Sequence, residues 1–231
     1  MTTSPAQAFA DAAAAMVNQD DVTDTLANLL SDCAELTSAV ALGLMVKTGS
    51  GALELLSATS HVTEELELYQ LQERTGPCIE AVDSGEAVSA ASPAEILDRW
   101  GAVGEAITSA GYESVYASPL RWHGVTIGAL NCFRRTTEAV GHEEMLLWQA
   151  FADVATIVVV QATELTVRQV AGRIDAALEG RTVIEQAKGV LAHYNDVDMA
   201  AAYQLLKARA AENGVTLTVA AERIIQAAAQ R

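Results

Sequence analysis

A helical sequence pattern that runs from Gly141 almost to Gly180 sets the strongest limit on how this chain can fold. A single helix over residues 142–179 would be about 57 Å long, which is too long to be buried within one small domain. Its apolar residues form a seam with mixed spacings of three, four and seven: Leu147, Phe151, Val154, Val158, Leu165, Val170, Ile174 and Leu178. We therefore expect a long, coiled-coil-like helix that pairs in a parallel homodimer.

The alternative is a monomer in which this helix folds back at Gly172. Gly172 and Gly180 are the weak points of the pattern, because glycine within a helix costs about 1 kcal/mol relative to alanine. In both cases residues 142–180 connect a larger part of the chain to a smaller one.

The part before this helix alternates between helical and strand patterns. The helical patterns cover residues 5–17, 22–37, 61–73 and 93–111, and the strand patterns cover residues 39–46, 52–59, 112–122 and 125–133. Ser92 is predicted to cap the fourth helix, and His123-Gly124 is predicted to form the turn between the last two strands. The alternation predicts an α+β domain, with an antiparallel sheet and flanking helices.

The charge is distributed unevenly between the two parts. The chain has 14 basic and 30 acidic residues, which gives a net charge of −16. Residues 165–231 contain eight of the basic and seven of the acidic residues, so they carry +1 and residues 1–164 carry −17. We expect electrostatic repulsion between nucleic-acid phosphates and the first part, and no such repulsion for the second.

Cysteine, histidine and hydropathy patterns predict a cytoplasmic protein without a metal. The three cysteines form no CxxC pair and are odd in number, which is typical of a reducing compartment. The four histidines are far apart and lack the spacing of metal ligands. No uncharged apolar run reaches the roughly 18 residues that a membrane span requires, and no signal peptide is visible.

Three short motifs in the first part resemble those of GAF domains. Gly76-Pro77-Cys78 opens a helix, and Ser118-Pro119-Leu120 and Ile127–Asn131 lie on adjacent predicted strands. The resemblance covers about residues 20–160, and it implies a six-stranded antiparallel sheet with a ligand-sized cavity on one face.

The cavity that this resemblance implies would hold a small molecule of unknown identity, so no cofactor is named. The candidate ligand-contacting residues are Cys78, Trp100, Tyr116 and Trp122. The three aromatic side chains are also bulky enough to fill such a cavity, which would leave the domain as a dimerisation body.

The stretch DAALEGRTVIEQAKGVLA, residues 175–192, closely resembles the opening of ANTAR modules. Residues 202–210 resemble the second helix of that family and residues 213–225 its loop and third helix, so the resemblance covers about residues 165–228. It implies an all-α, three-helix module. ANTAR modules act in pairs: they bind stem-loops in nascent transcripts and prevent a terminator from forming.

Helix periodicity separates the core of this module from its cations. Ile184, Ala187 and Leu191 share the face expected to form the core. Arg181 and Lys188 share another face and are expected to point outward together. The resemblance to ANTAR modules implies that they contact RNA phosphates. An ion pair between Arg181 and the neighbouring Glu185 is the alternative, worth roughly 0.3–0.5 kcal/mol.

On the second helix of the module, Lys207 and Arg209 point about 200° apart and cannot both face one ligand. We select Lys207 as the RNA contact because it resembles the usual basic position of the family. Tyr203 is expected to belong to the core rather than to stack on a base. The module lacks the further arginines that many relatives carry, so its net charge of +1 predicts weak phosphate binding.

The two resemblances together imply a transcription antitermination regulator with no catalytic site. Its GAF domain (residues 1–160) would control its ANTAR module (residues 165–231) through the dimerisation helix (residues 142–180). Two alternatives remain: a protein-binding adaptor, and a sulfoxide reductase that depends on Cys78 and Cys132.

Overall fold

The computed structural model of the chain describes residues 4–18, 20–160 and 167–230, with the side chains of 167–173 and 176 left aside. The helices are α1 (Pro5–Asn18), α2 (Val22–Leu36), α3 (His61–Glu73), α4 (Pro77–Ser84), α5 (Pro93–Ser109), α6 (His142–Val160), α7 (Val167–Asn195), α8 (Met199–Asn213) and α9 (Leu217–Ala229). The strands are β1 (Ala41–Lys47), β2 (Leu53–Ala58), β3 (Val88–Ala90), β4 (Ser114–Trp122) and β5 (Val125–Arg134). The helices and strands predicted before residue 140 agree with these bounds to within two residues.

Polar side chains fix where the helices begin. Asp21 caps α2 by accepting the backbone N–H groups of Thr23 at 2.8 Å and Asp24 at 3.2 Å. Ser92 caps α5 by accepting the N–H of Glu95 at 3.3 Å, which confirms its predicted role. Each cap satisfies N–H groups that have no partner within the helix.

The strands form one antiparallel sheet in the order β2-β1-β5-β4-β3. The turn between β4 and β5 lies at His123 and Gly124, as predicted, and both have positive φ angles of 48° and 77°. Two positive φ angles give a two-residue turn whose twist matches that of the strands. The described residues form five strands, whereas the resemblance implied six. The strand β3 was not predicted because its three residues are too few to show alternation.

Helices cover both faces of the sheet. On one face α3, α4 and α5 pack over side chains such as Met45 and Phe133, which are fully buried. On the other face α1, α2 and α6 pack over a second core that includes Leu42 and Leu130. The sheet therefore separates two hydrophobic cores within this N-terminal domain.

The prediction of one straight helix over residues 142–179 is wrong. In a straight helix Phe151 and Ile174 would lie about 35 Å apart, yet α6 and α7 contact each other and both side chains belong to the same core. The helix α7 continues through Gly172 and Gly180, so it breaks at neither glycine. No described helix is long and apolar enough to cross a membrane.

The apolar seam is covered by the chain itself. Phe151, Val158, Ile174 and Leu178 are buried in the core beneath α6, and Leu147 and Val154 pack against it. Leu165 and the side chain of Val170 lie outside the described residues. An amphipathic helix needs only an apolar partner, and here the N-terminal domain provides that partner. The seam is therefore no longer evidence for a dimer.

The second half of α7 packs with α8 and α9 into a separate three-helix module. Its core contains Ile184, Ala187 and Leu191 from α7, as predicted, together with Ala202, Leu206, Ala210, Leu217, Ala220 and Ala221. The all-α prediction for this module is confirmed.

Candidate nucleic-acid interface

Two of the three predicted RNA-contacting cations meet at one carboxylate of the N-terminal domain. Glu64, near the start of α3, accepts hydrogen bonds from Arg181 Nη2 at 3.1 Å and from Lys188 Nζ at 3.0 Å. Lys188 also donates to both oxygens of Glu185 at 2.9 Å. The side chains of Lys188, Glu64 and Arg181 are only 4%, 12% and 22% exposed. Because these charges are shielded from water, removing one partner costs more than breaking a surface ion pair.

The third predicted cation, Lys207, lies over the same Tyr203 ring as Lys188. Lys207 Nζ lies 4.9 Å and Lys188 Nζ 5.4 Å from the centre of the Tyr203 ring, within the range of cation–π interactions. We refer to Arg181, Lys188, Lys207 and Tyr203 as the cationic surface. Tyr203 is partly buried and also packs against the core of the module.

Residue spacing explains why these side chains converge. Arg181 and Lys188 are seven residues apart on α7, so they point only about 20° apart. Lys207 follows Tyr203 by four residues, which is about one turn of α8. The two helices approach closely because small, fully buried side chains such as Ala187 lie between them.

Glu64 is held in its charged form. Burial by itself would raise the pKa of Glu64, but the charges of Lys188 and Arg181 and the hydrogen bond from Lys188 together lower that pKa below its usual value. Glu64 is therefore ionised at neutral pH and neutralises part of the positive charge of the cationic surface.

A second carboxylate of the N-terminal domain contacts the module at the start of α9. Both oxygens of Asp24, on α2, lie 3.3 Å from the backbone N of Leu217, the first residue of α9. A carboxylate at this place accepts an N–H group that the helix cannot satisfy and interacts favourably with the helix dipole. Burial raises the pKa of Asp24, the charge of Asp21 raises it further, and the Leu217 N–H acts in the opposite direction. The N-terminal domain thus holds the module at two points.

The outward orientation expected for both Arg181 and Lys188 is wrong for Lys188, which is only 3% exposed. The pairing also differs from the alternative considered, because Arg181 pairs with Glu64 while Glu185 pairs with Lys188. Helix periodicity places both cations on one face of α7. It cannot reveal that a carboxylate 117 residues before Arg181 lies against that face.

The four candidate ligand residues of the N-terminal domain do not line a single cavity. Cys78 and Trp100 belong to the core beneath α3, α4 and α5. Tyr116 and Trp122 lie on the opposite face of the sheet, where the Tyr116 ring lies 4.9 Å from that of Trp148. All four side chains contribute to packing. A ligand-binding role for any of them stays a prediction.

The cysteines are placed as packing residues. Cys78 and Cys132 are completely buried, on opposite faces of the sheet, and burial raises the pKa of both thiols well above its usual value. A nucleophilic cysteine needs an accessible thiolate, which burial disfavours. Among the described residues, no three His, Cys, Asp or Glu side chains are grouped as metal ligands would be.

A buried polar cluster that the sequence analysis missed lies between α3 and the sheet. Glu67 is fully buried, and its carboxyl group accepts hydrogen bonds from Asn131 Nδ2 at 2.8 and 3.0 Å and from Gln70 Nε2 at 2.8 Å. Burial raises the pKa of Glu67 to about 8, although the hydrogen bond from Asn131 acts to lower it. Gly43 leaves space for this carboxyl group, because an added Cβ would overlap it.

A partial signal for this cluster was present in the sequence. Asn131 belongs to the motif Ile127–Asn131, and a polar residue within an apolar strand requires a buried partner. The partner, Glu67, lies 64 residues earlier on a helix in which acidic residues are frequent. Nothing in the sequence distinguishes Glu67 from its neighbours Glu64 and Glu65.

Comparisons with known families and structures agree with this division of the chain. The family model described as GAF domain matches residues 21–159, and the one described as ANTAR domain matches residues 172–225. Among curated proteins, a sequence search found no match.

Solved GAF domains share the fold of the first part at low sequence identity. The GAF domain of an Acinetobacter phosphoenolpyruvate-protein phosphotransferase aligns with a TM-score of 0.53 and 10% identity, over 70% of this chain and 96% of that one. A phycoerythrobilin-bound GAF domain of a cyanobacterial phytochrome gives 0.52 and 12%, over 70% and 96%. The GAF domain of a Coxiella burnetii phosphoenolpyruvate-protein phosphotransferase gives 0.51 and 14%, over 77% and 96%.

Identities this low show a shared fold and nothing about ligands. The match to the GAF family model, in contrast, extends over more than half of the chain. The chain therefore belongs to the GAF-domain family and carries an ANTAR domain after its GAF domain.

Proposed function

We propose that this chain is an RNA-binding regulator of transcription antitermination, in which the GAF domain (about residues 1–160) controls the ANTAR module (about residues 165–231). The module would bind stem-loops in nascent transcripts in the cytoplasm. The grouping of these cations carries this proposal: Arg181 and Lys188 meet at Glu64, and Lys188 and Lys207 both lie over the ring of Tyr203. Three cations on one surface suit an anionic ligand, and contacts to phosphate supply most of the affinity for RNA. No catalytic role is part of the proposal.

The GAF domain would control the module by competing with RNA. The two oxygens of Glu64 accept the hydrogen bonds that phosphate oxygens would accept from Arg181 and Lys188. The same two donors cannot serve Glu64 and RNA at once. We infer that the described arrangement is the RNA-free, docked state, and that regulation consists of releasing the module from α3.

Such control needs only a modest difference in free energy. If docking is favoured by about 3 kcal/mol, fewer than one molecule in a hundred is released, and the apparent affinity for RNA falls by the same factor. A small molecule bound to the GAF domain would act only through its different affinity for the docked and released states.

We also propose that the released chain forms a homodimer. Ile174 and Leu178 of α7 are 2% and 8% exposed because they pack against the GAF core. Release of α7 would uncover them, and the same face of a second copy offers matching apolar side chains in a coiled coil. Dimerisation would then bring two ANTAR modules together.

The variant Lys207→Ala tests the RNA-binding surface directly. Lys207 is exposed and pairs with no carboxylate among the described residues, so its loss should leave docking and folding unchanged. We expect about fivefold weaker binding of the full chain to stem-loop RNA, and a salt slope that falls by about one. Fluorescence anisotropy between about 50 and 200 mM salt measures both quantities.

The control for this experiment is Lys47→Ala, which removes one positive charge from β1 of the GAF domain. Its affinity and salt slope should equal those of the unmodified chain. If Lys207→Ala behaves like this control, the cationic surface is not the RNA-binding surface.

A protein-binding adaptor remains the second candidate, favoured by one observation. Arg181 and Lys188 already bind a carboxylate of a protein, that of Glu64, so an acidic partner protein could take its place. In that case a released variant would bind a polyglutamate peptide and would not bind stem-loop RNA.

A further inference from the structure

A groove on the ANTAR module lies away from the cationic surface and is not used by the mechanism proposed above. It runs between α7, α8 and α9 and has a volume of about 400 Å³. Val190, which lines it, points about 180° away from Arg181 around α7, and Arg209 points about 200° away from Lys207 around α8. Every described residue that lines the groove belongs to the module, so docking of the GAF domain leaves it open.

The charge of this groove differs from that of the rest of the chain. Arg209 and Arg223 line it, and no carboxylate is found among the described residues that line it. Within the described part of the chain, neither arginine forms an ion pair, in contrast to Arg181 and Lys188. Both arginines are exposed, so their guanidinium groups are free to bind an anion. In a protein with a net charge of −16, a groove whose described charged residues are all cations indicates an anionic ligand.

The groove also has an apolar floor. Leu191 and Ala220 form part of it and are 2% and 5% exposed, and Ile224 lies beside them. The ring of Tyr194 lines the edge and is 53% exposed. Phosphate or sulfate alone would use the arginines and leave this apolar surface unfilled. A ligand that fills the groove would therefore combine negative charge with an apolar part.

We propose that this groove binds an unpaired nucleotide of RNA. The base would lie against Tyr194 and the apolar floor, and the flanking phosphates would contact Arg209 and Arg223. Unpaired bases are recognised in this way, by stacking on aromatic side chains beside cations that hold the backbone. A volume of about 400 Å³ is within the range of small-ligand sites and too small for a base-paired helix. The inference rests on the proposed RNA-binding function and assigns it a second contact surface.

The groove would allow the docked state to bind RNA. Because the groove stays open when Glu64 covers the cationic surface, an RNA loop can be held by the module before release. The bound RNA would then lie close to Arg181 and Lys188 when they become free. The two surfaces would contribute separately to affinity, since they share no side chain.

The test uses the full chain and a labelled 12-nucleotide single-stranded RNA of mixed sequence, with a fully paired RNA duplex for comparison. Arg209→Ala with Arg223→Ala should weaken binding of the single strand about twentyfold at low salt and lower the salt slope by about two. Tyr194→Ala should weaken it about tenfold, and Tyr194→Phe should restore it. The chain should bind the duplex more weakly than the single strand, and each variant should lose less affinity for the duplex than for the single strand.

The matched control is Arg121→Ala with Arg135→Ala, which removes two positive charges from the GAF domain. Circular dichroism checks that every variant keeps its helices. If the two double variants lose the same affinity for the single strand, only net charge matters and the groove is not an RNA site.

Two further outcomes separate this inference from the proposed function. If Glu64→Gln strengthens RNA binding while the groove variants change nothing, the groove inference fails and the regulator proposal stands. If no variant binds any RNA, the regulator proposal fails and the groove inference falls with it. Displacement of the bound RNA by a polyglutamate peptide at equal concentration would also overturn the assignment to a nucleotide.

Discussion

Replacing Glu64 with lysine should raise the affinity of the full chain for stem-loop RNA about a hundredfold at low salt. The substitution turns two attractive contacts, with Arg181 at 3.1 Å and Lys188 at 3.0 Å, into repulsive ones. A hundredfold gain corresponds to about 2.7 kcal/mol, which is about what removing a shielded ion-pair partner costs. The gain reports how far docking lowers the apparent affinity. Fluorescence anisotropy with a labelled stem-loop measures it.

A control must separate the effect of the added positive charge on RNA affinity from the effect of lost docking. Glu65→Lys makes the same charge change one residue away, where the Glu65 side chain is 66% exposed and contacts only His61 among the charged groups described. This control should raise affinity less than fivefold through general electrostatic attraction. Equal gains in the two variants would show that Glu64 does not hold the module.

The same variant tests the proposed link between release and dimerisation. Light scattering should give a mass near 24.3 kDa for the unmodified chain and near twice that value for Glu64→Lys at micromolar concentration. Adding Leu178→Asp should restore the monomer, because it places a charge within the uncovered apolar face of α7. A released variant that binds RNA and stays monomeric would separate RNA binding from dimerisation.

Replacing Glu67 with glutamine should remove a large pH dependence of stability. In the folded chain the pKa of Glu67 is about 8, above its ordinary value of 4.5, so the folded state holds a proton that the unfolded state has lost between these pH values. The contribution of Glu67 to the free energy of unfolding is therefore fully present below about pH 4.5. It falls by about 1.4 kcal/mol per pH unit until about pH 8. Between pH 5 and 8 the loss amounts to about 4 kcal/mol.

Urea unfolding at several pH values from 5 to 8 measures this effect as the difference between the unmodified chain and Glu67→Gln. The variant should be more stable at pH 8, because a neutral amide replaces a carboxylate whose ionisation is opposed by burial. Glu54→Gln, at an exposed position of β2, should leave the pH profile unchanged. Parallel profiles for all three proteins would mean that Glu67 ionises in the folded state as easily as in water.

Local features of the sequence are sufficient to predict most of the secondary structure. The four predicted helices and four predicted strands before residue 140 follow from apolar spacing and from end signals such as Ser92 and His123-Gly124. These signals act over a few residues, so they can be recognised without knowing the rest of the fold. The three-residue strand β3 was missed because it depends on pairing with β4 and not on its own pattern.

The cations of the candidate interface could also be selected from the sequence, because the resemblance to ANTAR modules indicates Lys207 and, together with helix geometry, the pair Arg181 and Lys188. The side chain that covers these cations could not be identified from the sequence. Glu64 is one of three glutamates between residues 64 and 67, and only the packing of α7 against the GAF domain brings it to Arg181 and Lys188. The same packing makes Lys188 a buried residue where periodicity predicted an exposed one.

The apolar seam of residues 142–180 shows most clearly the difference between what the sequence determines and what only the tertiary structure determines. Its spacing determined that α6 and α7 must each bury one face, and the structure agrees for Phe151, Val158, Ile174 and Leu178. It did not determine which surface covers that face. The free energy gained by burying apolar area depends on how much area is removed from water and hardly on which apolar partner covers it. Only the tertiary structure decided that the partner is the GAF core of the same chain, which turns an expected dimer contact into an intramolecular one.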